Sequence, residues 1–206
     1  MKIFKKNVQQ ADSIVKDFAP GQLVIVASRS KQKKTNFLIQ IVNRDLENHR
    51  SMGFFSFGRS KSQFIERLLA LRTGIELYKL RKGYLDKTEF REALQELKKM
   101  ESLELFIDDS VALPIDVIAE RIRRLAGCLT ENGKQLKGVF IDSLSVSGNR
   151  QKHLQILKEL AEKLEISILV GLKRNHLEKR GLFTVDDLGQ NSPCIFPMAD
   201  IIFLDE

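Results

Sequence analysis

Lys34 and Thr35 are adjacent, and Asp142 follows far downstream at the end of an apolar run. A lysine can reach phosphate oxygens, the hydroxyl beside it can bind magnesium, and a later carboxylate can hold that ion or its water. The pair lies within Leu23 to Phe37, LVIVASRSKQKKTNF. Leu23-Val24-Ile25-Val26 reads as a short buried strand and Ala27 to Lys33 as a polar loop. Lys34-Thr35 then open a helix with Phe37, Leu38, Ile41 and Val42 on one stripe. Strand, loop, Lys-Thr and helix make the layout of a phosphate-binding loop, where backbone N–H groups and the helix N-terminus surround the anion.

That motif reads G-x-x-x-x-G-K-[ST], and here its two glycine positions hold Ser28 and Lys33. Lys33 places a Cβ and a long side chain where bare backbone approaches phosphate. Either the loop takes another shape, or Lys33 swings outward and the loop survives. Its charge still attracts anions. The candidate nucleotide- or anion-binding residues are therefore Arg29, Ser30, Lys31, Lys33, Lys34 and Thr35. Asp142 is a magnesium ligand only together with Thr35 and a bound nucleotide. The expected ligand is ATP with magnesium, or otherwise a lone phosphate or sulfate. Hydrolysis also needs a carboxylate to position water, usually from the end of a neighbouring strand. Behind the second strand stand Phe57, Gly58 and Arg59, none of which can act as a base. Asp108 and Asp109 are possible substitutes, and equally good caps for the turn after them. No catalytic residue is assigned.

These residues need strands to present them. Phe54-Phe55-Ser56-Phe57, Leu103 to Ile107, Gly138 to Asp142, Ile166 to Leu172 and Ala199 to Leu204 read as further strands. Between them lie helices: one capped by Ser60 and ended by Thr73-Gly74, one capped by Asp86, one opened by Pro114, and one over Gln151 to Leu164. The Asp86 helix is expected to bury Phe90, Ala93, Leu94 and Leu97. Residues 1–19 read as a polar lead-in, and 1–206 as a single domain. The alternation predicts an α/β fold, a mostly parallel central sheet with helices on both faces. The loop, Gly58-Arg59, Asp108-Asp109 and Asp142 then gather at the carboxyl edge of the strands.

No apolar run reaches membrane-span length, and no secretory signal opens the chain. A cytoplasmic protein is expected, with Cys128 and Cys194 as buried thiols. Three scattered histidines argue against a zinc site. The net charge of +7 permits a polyanionic partner. In the basic stretch after the fifth strand, Lys173, Arg174 and Arg180 are candidate DNA-binding residues.

In this order, the segments resemble the C-terminal ATPase domain of DnaB-type replicative helicases, a RecA-like P-loop branch. Phe18-Ala19-Pro20-Gly21-Gln22-Leu23 is similar to that family's F-x-P-G-D-L, and Phe54 to Phe57 to its F-F-S-L-E-M-S. Ile107-Asp108-Asp109 is similar to its I-D-D, and Ile141-Asp142-Ser143-Leu144 to its I-D-Y-L. Leu157 to Leu164, Glu178, Arg180 and Ala199 to Leu204 continue the match. The resemblance implies a RecA-like fold and ATP-driven translocation on single-stranded DNA as a hexameric ring. It also marks departures. Lys33 replaces the loop glycine, Gly58 the catalytic glutamate, Ser145 the γ-phosphate-sensing glutamine, and Gly171-Leu172 a serine-glutamine pair. The arginine finger and ring-building collar are expected to be missing. Together these suggest a non-hydrolysing replication protein whose partner is single-stranded DNA or a replicative helicase, without a complete active hexamer. The alternative is a functional ATP-binding helicase domain. A recombinase-like or clock-protein-like relative is the weaker third reading, disfavoured by Ile107-Asp108-Asp109.

Overall fold

The computed structural model describes residues 3–6, 18–28, 30–57, 59–110, 113–144, 150–172 and 200–204. Seven strands form one sheet: β1 (Ile3–Lys6), β2 (Leu23–Ser28), β3 (Ser51–Ser56), β4 (Leu105–Asp108), β5 (Leu136–Leu144), β6 (Ser167–Leu172) and β7 (Asp200–Leu204). Their spatial order is β1-β7-β2-β6-β5-β3-β4, and the pairings are parallel. The helices are α1 (Lys31–Glu47), α2 (Lys61–Thr73), α3 (Leu77–Lys82), α4 (Lys87–Met100), α5 (Ile115–Glu131) and α6 (Arg150–Leu164).

Side chains alternate along each central strand and fill two layers. Leu23 and Ile25 of β2, Val139 and Ile141 of β5, and Ile168 and Val170 of β6 pack with Ile118 and Ile122 of α5 and Leu154, Leu157 and Leu160 of α6. Val24, Val26, Phe140 and Leu169 face the other way, onto Phe37, Leu38 and Ile41 of α1 and Phe64 and Leu68 of α2. Both faces are therefore buried, which is why these strands read as unbroken apolar runs. A one-residue slip of β2 would exchange its two inward sets, so packing helps to fix its register. In that register Val26 lies beside Gly171, and along β3 Ser56 lies beside Asp142. β2 and β3 are consecutive among the central strands but separated by β6 and β5, so a crevice opens at their carboxyl ends.

The expected caps are present. The Ser60 side chain accepts from Gln63 N–H, Gly74 ends α2 at φ 73°, and Asp86 with Glu89 forms a capping box on α4. Several expectations need correction. Residues 3–6 of the lead-in form a strand paired with β7. On α4, Ala93 is buried, but Phe90 and Leu94 are exposed, because α3 and α4 make a small satellite core with Leu69 and Ile75. Cys128 is exposed near the end of α5. Cys194 lies outside the described residues.

Candidate functional site

β2 ends at Ser28, and the turn that follows is held by serine hydroxyls. Ser28 Oγ accepts from Ser30 N–H at 3.1 Å. Ser30, in an extended conformation, is the N-cap of α1, and its Oγ accepts from Lys33 N–H at 3.2 Å. Its carbonyl accepts from Lys34 N–H at 3.1 Å. Helix α1 thus begins at Lys31, and Lys33 and Lys34 sit inside its first turn. N–H groups that face phosphate in a glycine-bearing loop are here engaged by Ser30.

Lys34 is 1% exposed, unusual for a lysine. Its stem runs along β6 at Gly171, where an added Cβ would lie 3.0 Å from Lys34 Cδ and 3.1 Å from Cε. Any other residue would crowd the lysine, so Gly171 makes the channel that lets it lie buried. The ammonium ends 3.6 Å from Asp142 Oδ1. Thr35 Oγ1 donates to Asp142 Oδ2 at 2.9 Å. The sequence-predicted trio Lys34, Thr35 and Asp142 is therefore brought together, carried by α1 and β5.

The sequence pattern places Gly58-Arg59 at this edge but does not show what Arg59 does. Ser56 Oγ donates to the Arg59 carbonyl at 2.9 Å, turning the chain after β3. Arg59 NH1 then lies 3.8 Å from Asp142 Oδ2. Arg67 of α2 stands nearby and donates from NH1 to Asn36 Oδ1 at 3.0 Å. Burial lowers the Arg67 pKa from its ordinary value, the charges of Arg59 and Arg81 lower it further, and Asp142 opposes them. Among the described residues, the buried side-chain nitrogens and oxygens lacking a hydrogen-bond partner are Arg59 NH1 and Arg67 Nε. A cationic residue following a strand that ends beside the Asp142 strand is the signal that could have found it.

Asp108 and Asp109 have other tasks. Asp109 Oδ2 accepts from Lys61 N–H at 2.7 Å, at the start of α2. Asp108 accepts from Ser110 N–H at 3.0 Å and pairs with Arg121. Burial opposes its ionisation, but the bonds from Ser110 and Arg121 outweigh it and hold the carboxyl below its usual value. Arg29, Gly58, Ser145, Lys173, Arg174 and Arg180 lie outside the described residues.

A parallel sheet with a Lys-Thr pair near the start of the helix after β2, beside a strand-borne aspartate, defines a RecA-like P-loop domain. The DnaB-like helicase C terminal domain model matches residues 4–202, and the chain belongs to that family. The replicative DNA helicase DnaB of Rickettsia bellii (strain RML369-C) is 31% identical over 179 residues, 77% of this chain and 35% of its own length. That of Helicobacter pylori (strain ATCC 700392 / 26695) is 30% identical over 182 residues, 83% of this chain and 36% of its own. The chain thus spans roughly a third of these curated relatives. Among solved structures, one ATPase domain shares the fold at TM-score 0.76 and 20% identity, over 92% of this chain and 71% of that one. A DnaB-like replicative helicase solved in a study of its interactions with primase gives 0.74 and 19%, over 92% and 48%.

Proposed function

We propose that this DnaB-type domain works in DNA replication without turning over ATP itself, as a cytoplasmic module that binds single-stranded DNA or a replicative helicase. The observation that carries the reading is the engagement of the Lys33 and Lys34 N–H groups by Ser30. A triphosphate needs such donors at the helix start. The absence of a carboxylate at Gly58-Arg59, where water would be activated, points the same way. An inorganic phosphate or sulfate, which demands fewer donors, suits the positive loop better than a magnesium nucleotide. The single-domain organisation of 1–206, a role for Lys173, Arg174 and Arg180 on DNA phosphates, and assembly short of a complete active hexamer belong to the same proposal.

The experiment is phosphate release from magnesium-ATP, with and without single-stranded DNA, by the intact chain and by Lys34→Ala. The expected result is no release above a blank in either protein. Release that vanishes in Lys34→Ala would establish a working ATPase instead. That second reading is favoured by one observation, the close approach of Lys34, Thr35 and Asp142. Single-stranded DNA titrated across a salt series tests the partner: affinity should fall steeply with salt, and no binding at low salt would leave a protein partner as the remaining version.

A further inference from the structure

The family's chemistry places a divalent cation between the loop hydroxyl and the strand-borne aspartate. The spacing of Thr35 Oγ1 and Asp142 Oδ2, 2.9 Å, would by itself suit two neighbouring ligands of an octahedral ion. The surrounding charge does not suit one. The Asp142 carboxylate, 3% exposed as a residue, already has Lys34 Nζ 3.6 Å from Oδ1 and Arg59 NH1 3.8 Å from Oδ2. Arg67 adds a third positive charge close enough to depend on both Arg59 and Asp142. Among the described residues, a dication entering beside Asp142 would meet Lys34 and Arg59 already against that carboxylate, with Arg67 behind them balanced in part by Glu66, at a water-poor edge of the sheet where such repulsion is weakly screened.

We infer that Arg59 takes the place of the divalent cation: its guanidinium, with Lys34, neutralises Asp142, and the site excludes magnesium. The inference rests on the reading above, that this loop does not hold a magnesium triphosphate. Arg59 is then a positioning residue that fixes Asp142 through charge. A fixed guanidinium cannot leave with a product as a metal ion does, and Arg59 NH1 keeps hydrogen-bonding capacity toward an anion. Any phosphate the loop takes is taken without metal.

Manganese alone, as chloride, is the probe, and its paramagnetic signal is titrated against the intact chain. The protein as it stands should show no Asp142-dependent manganese site. Arg59→Met, which installs the residue of the family's F-F-S-L-E-M-S pattern, should gain one at least about tenfold tighter, since one opposing charge is worth on the order of a factor of ten near a partly buried site. Asp142→Asn added to Arg59→Met should abolish it. Manganese bound by the unaltered chain and lost in Asp142→Asn overturns the inference, as does no gain in a folded Arg59→Met. Should Arg59→Met not fold, Arg59→Gln, which keeps the polar head without its charge, replaces it. Failure of both to fold while Arg59→Lys folds supports the charge role; failure of all three overturns it in favour of packing. Phosphate release from ATP would remove the reading above, whereas Asp142-dependent manganese binding by the unaltered chain removes this inference whatever the ATP assay returns.

Discussion

Arg72 and Arg59 each lie against a buried carboxylate, in surroundings that differ. Arg72 reaches Glu96 with Nε and donates from NH1 to Asn43 Oδ1 at 2.9 Å, with Glu47 Oε1 at 3.9 Å. Lys99 Nζ completes Glu96 at 3.1 Å. That network joins α1, α2 and α4, and its buried side-chain nitrogens and oxygens all have partners. At Asp142 the contacts to Lys34 and Arg59 are longer, and among the described residues the unpartnered buried nitrogens belong to Arg59 and Arg67. A closed network serves the fold. An open one, with donors aimed around a carboxylate at the sheet edge, gives up stability at a place where another molecule can complete it.

The largest expected effect separates the two. Arg72→Met should cost about 3 kcal/mol in urea unfolding, because Glu96 would keep only Lys99 inside the helical layer. Arg59→Met should cost no more than about 1 kcal/mol, its contact being long and its side chain 20% exposed. Equal losses in the two variants would erase the contrast.

Next comes the channel under Lys34. Gly171→Ala puts a methyl 3.0 Å from Lys34 Cδ and 3.3 Å from Leu38 Cδ1, so the lysine must shift or the helix must. About 2 kcal/mol of overpacking is expected, and Lys34→Met in the same chain should recover part of it, since its side chain is shorter and uncharged. Strict additivity of the two substitutions would mean that Gly171 is not what admits Lys34.

Gly171 also marks where the sequence stops being legible. The core strands are readable because parallel strands covered on both faces are apolar throughout, as in Leu23 to Val26 and Val139 to Ile141. Lys34, Thr35 and Asp142 are readable because their types and their strand-end positions agree. Arg59 reads only as a residue unable to act as a base, whereas its contribution is charge toward a residue on another strand, which strand order alone reveals. Lys34-Thr35 set the start of α1 too late, because Ser30 outcompetes that pattern as a cap. Phe90 and Leu94 follow helical periodicity, but the stripe on α4 is wider than the satellite core it covers.

Ser30→Ala tests that cap. Loss of the Oγ bond to Lys33 N–H should cost about 1 kcal/mol, and Ser30→Asp should restore most of it. If Ser30→Ala leaves stability unchanged, the first turn of α1 is not fixed by its cap, and the difference between a closed fold network and an engaged loop narrows.

The smallest effect is one of pH. Burial disfavours the Glu96 carboxylate, yet bonds from Arg72 and Lys99 outweigh it and leave its pKa below the ordinary 4.5. The unfolded chain therefore takes up this proton first on acidification. The stabilisation is fully present above 4.5 and is lost as pH falls through the folded value. Asp108 adds to this slope from its own ordinary value of 3.8, and Asp45 opposes it, since burial raises its pKa despite Arg44 and Arg50. The informative quantity is thus the difference between the unaltered chain and Glu96→Gln, followed by unfolding free energy from neutral pH to below 4.5. It should shrink as pH drops. A difference that stays constant would mean that Glu96 contributes through packing rather than charge, and the closed network would then be no more electrostatic than the helices around it.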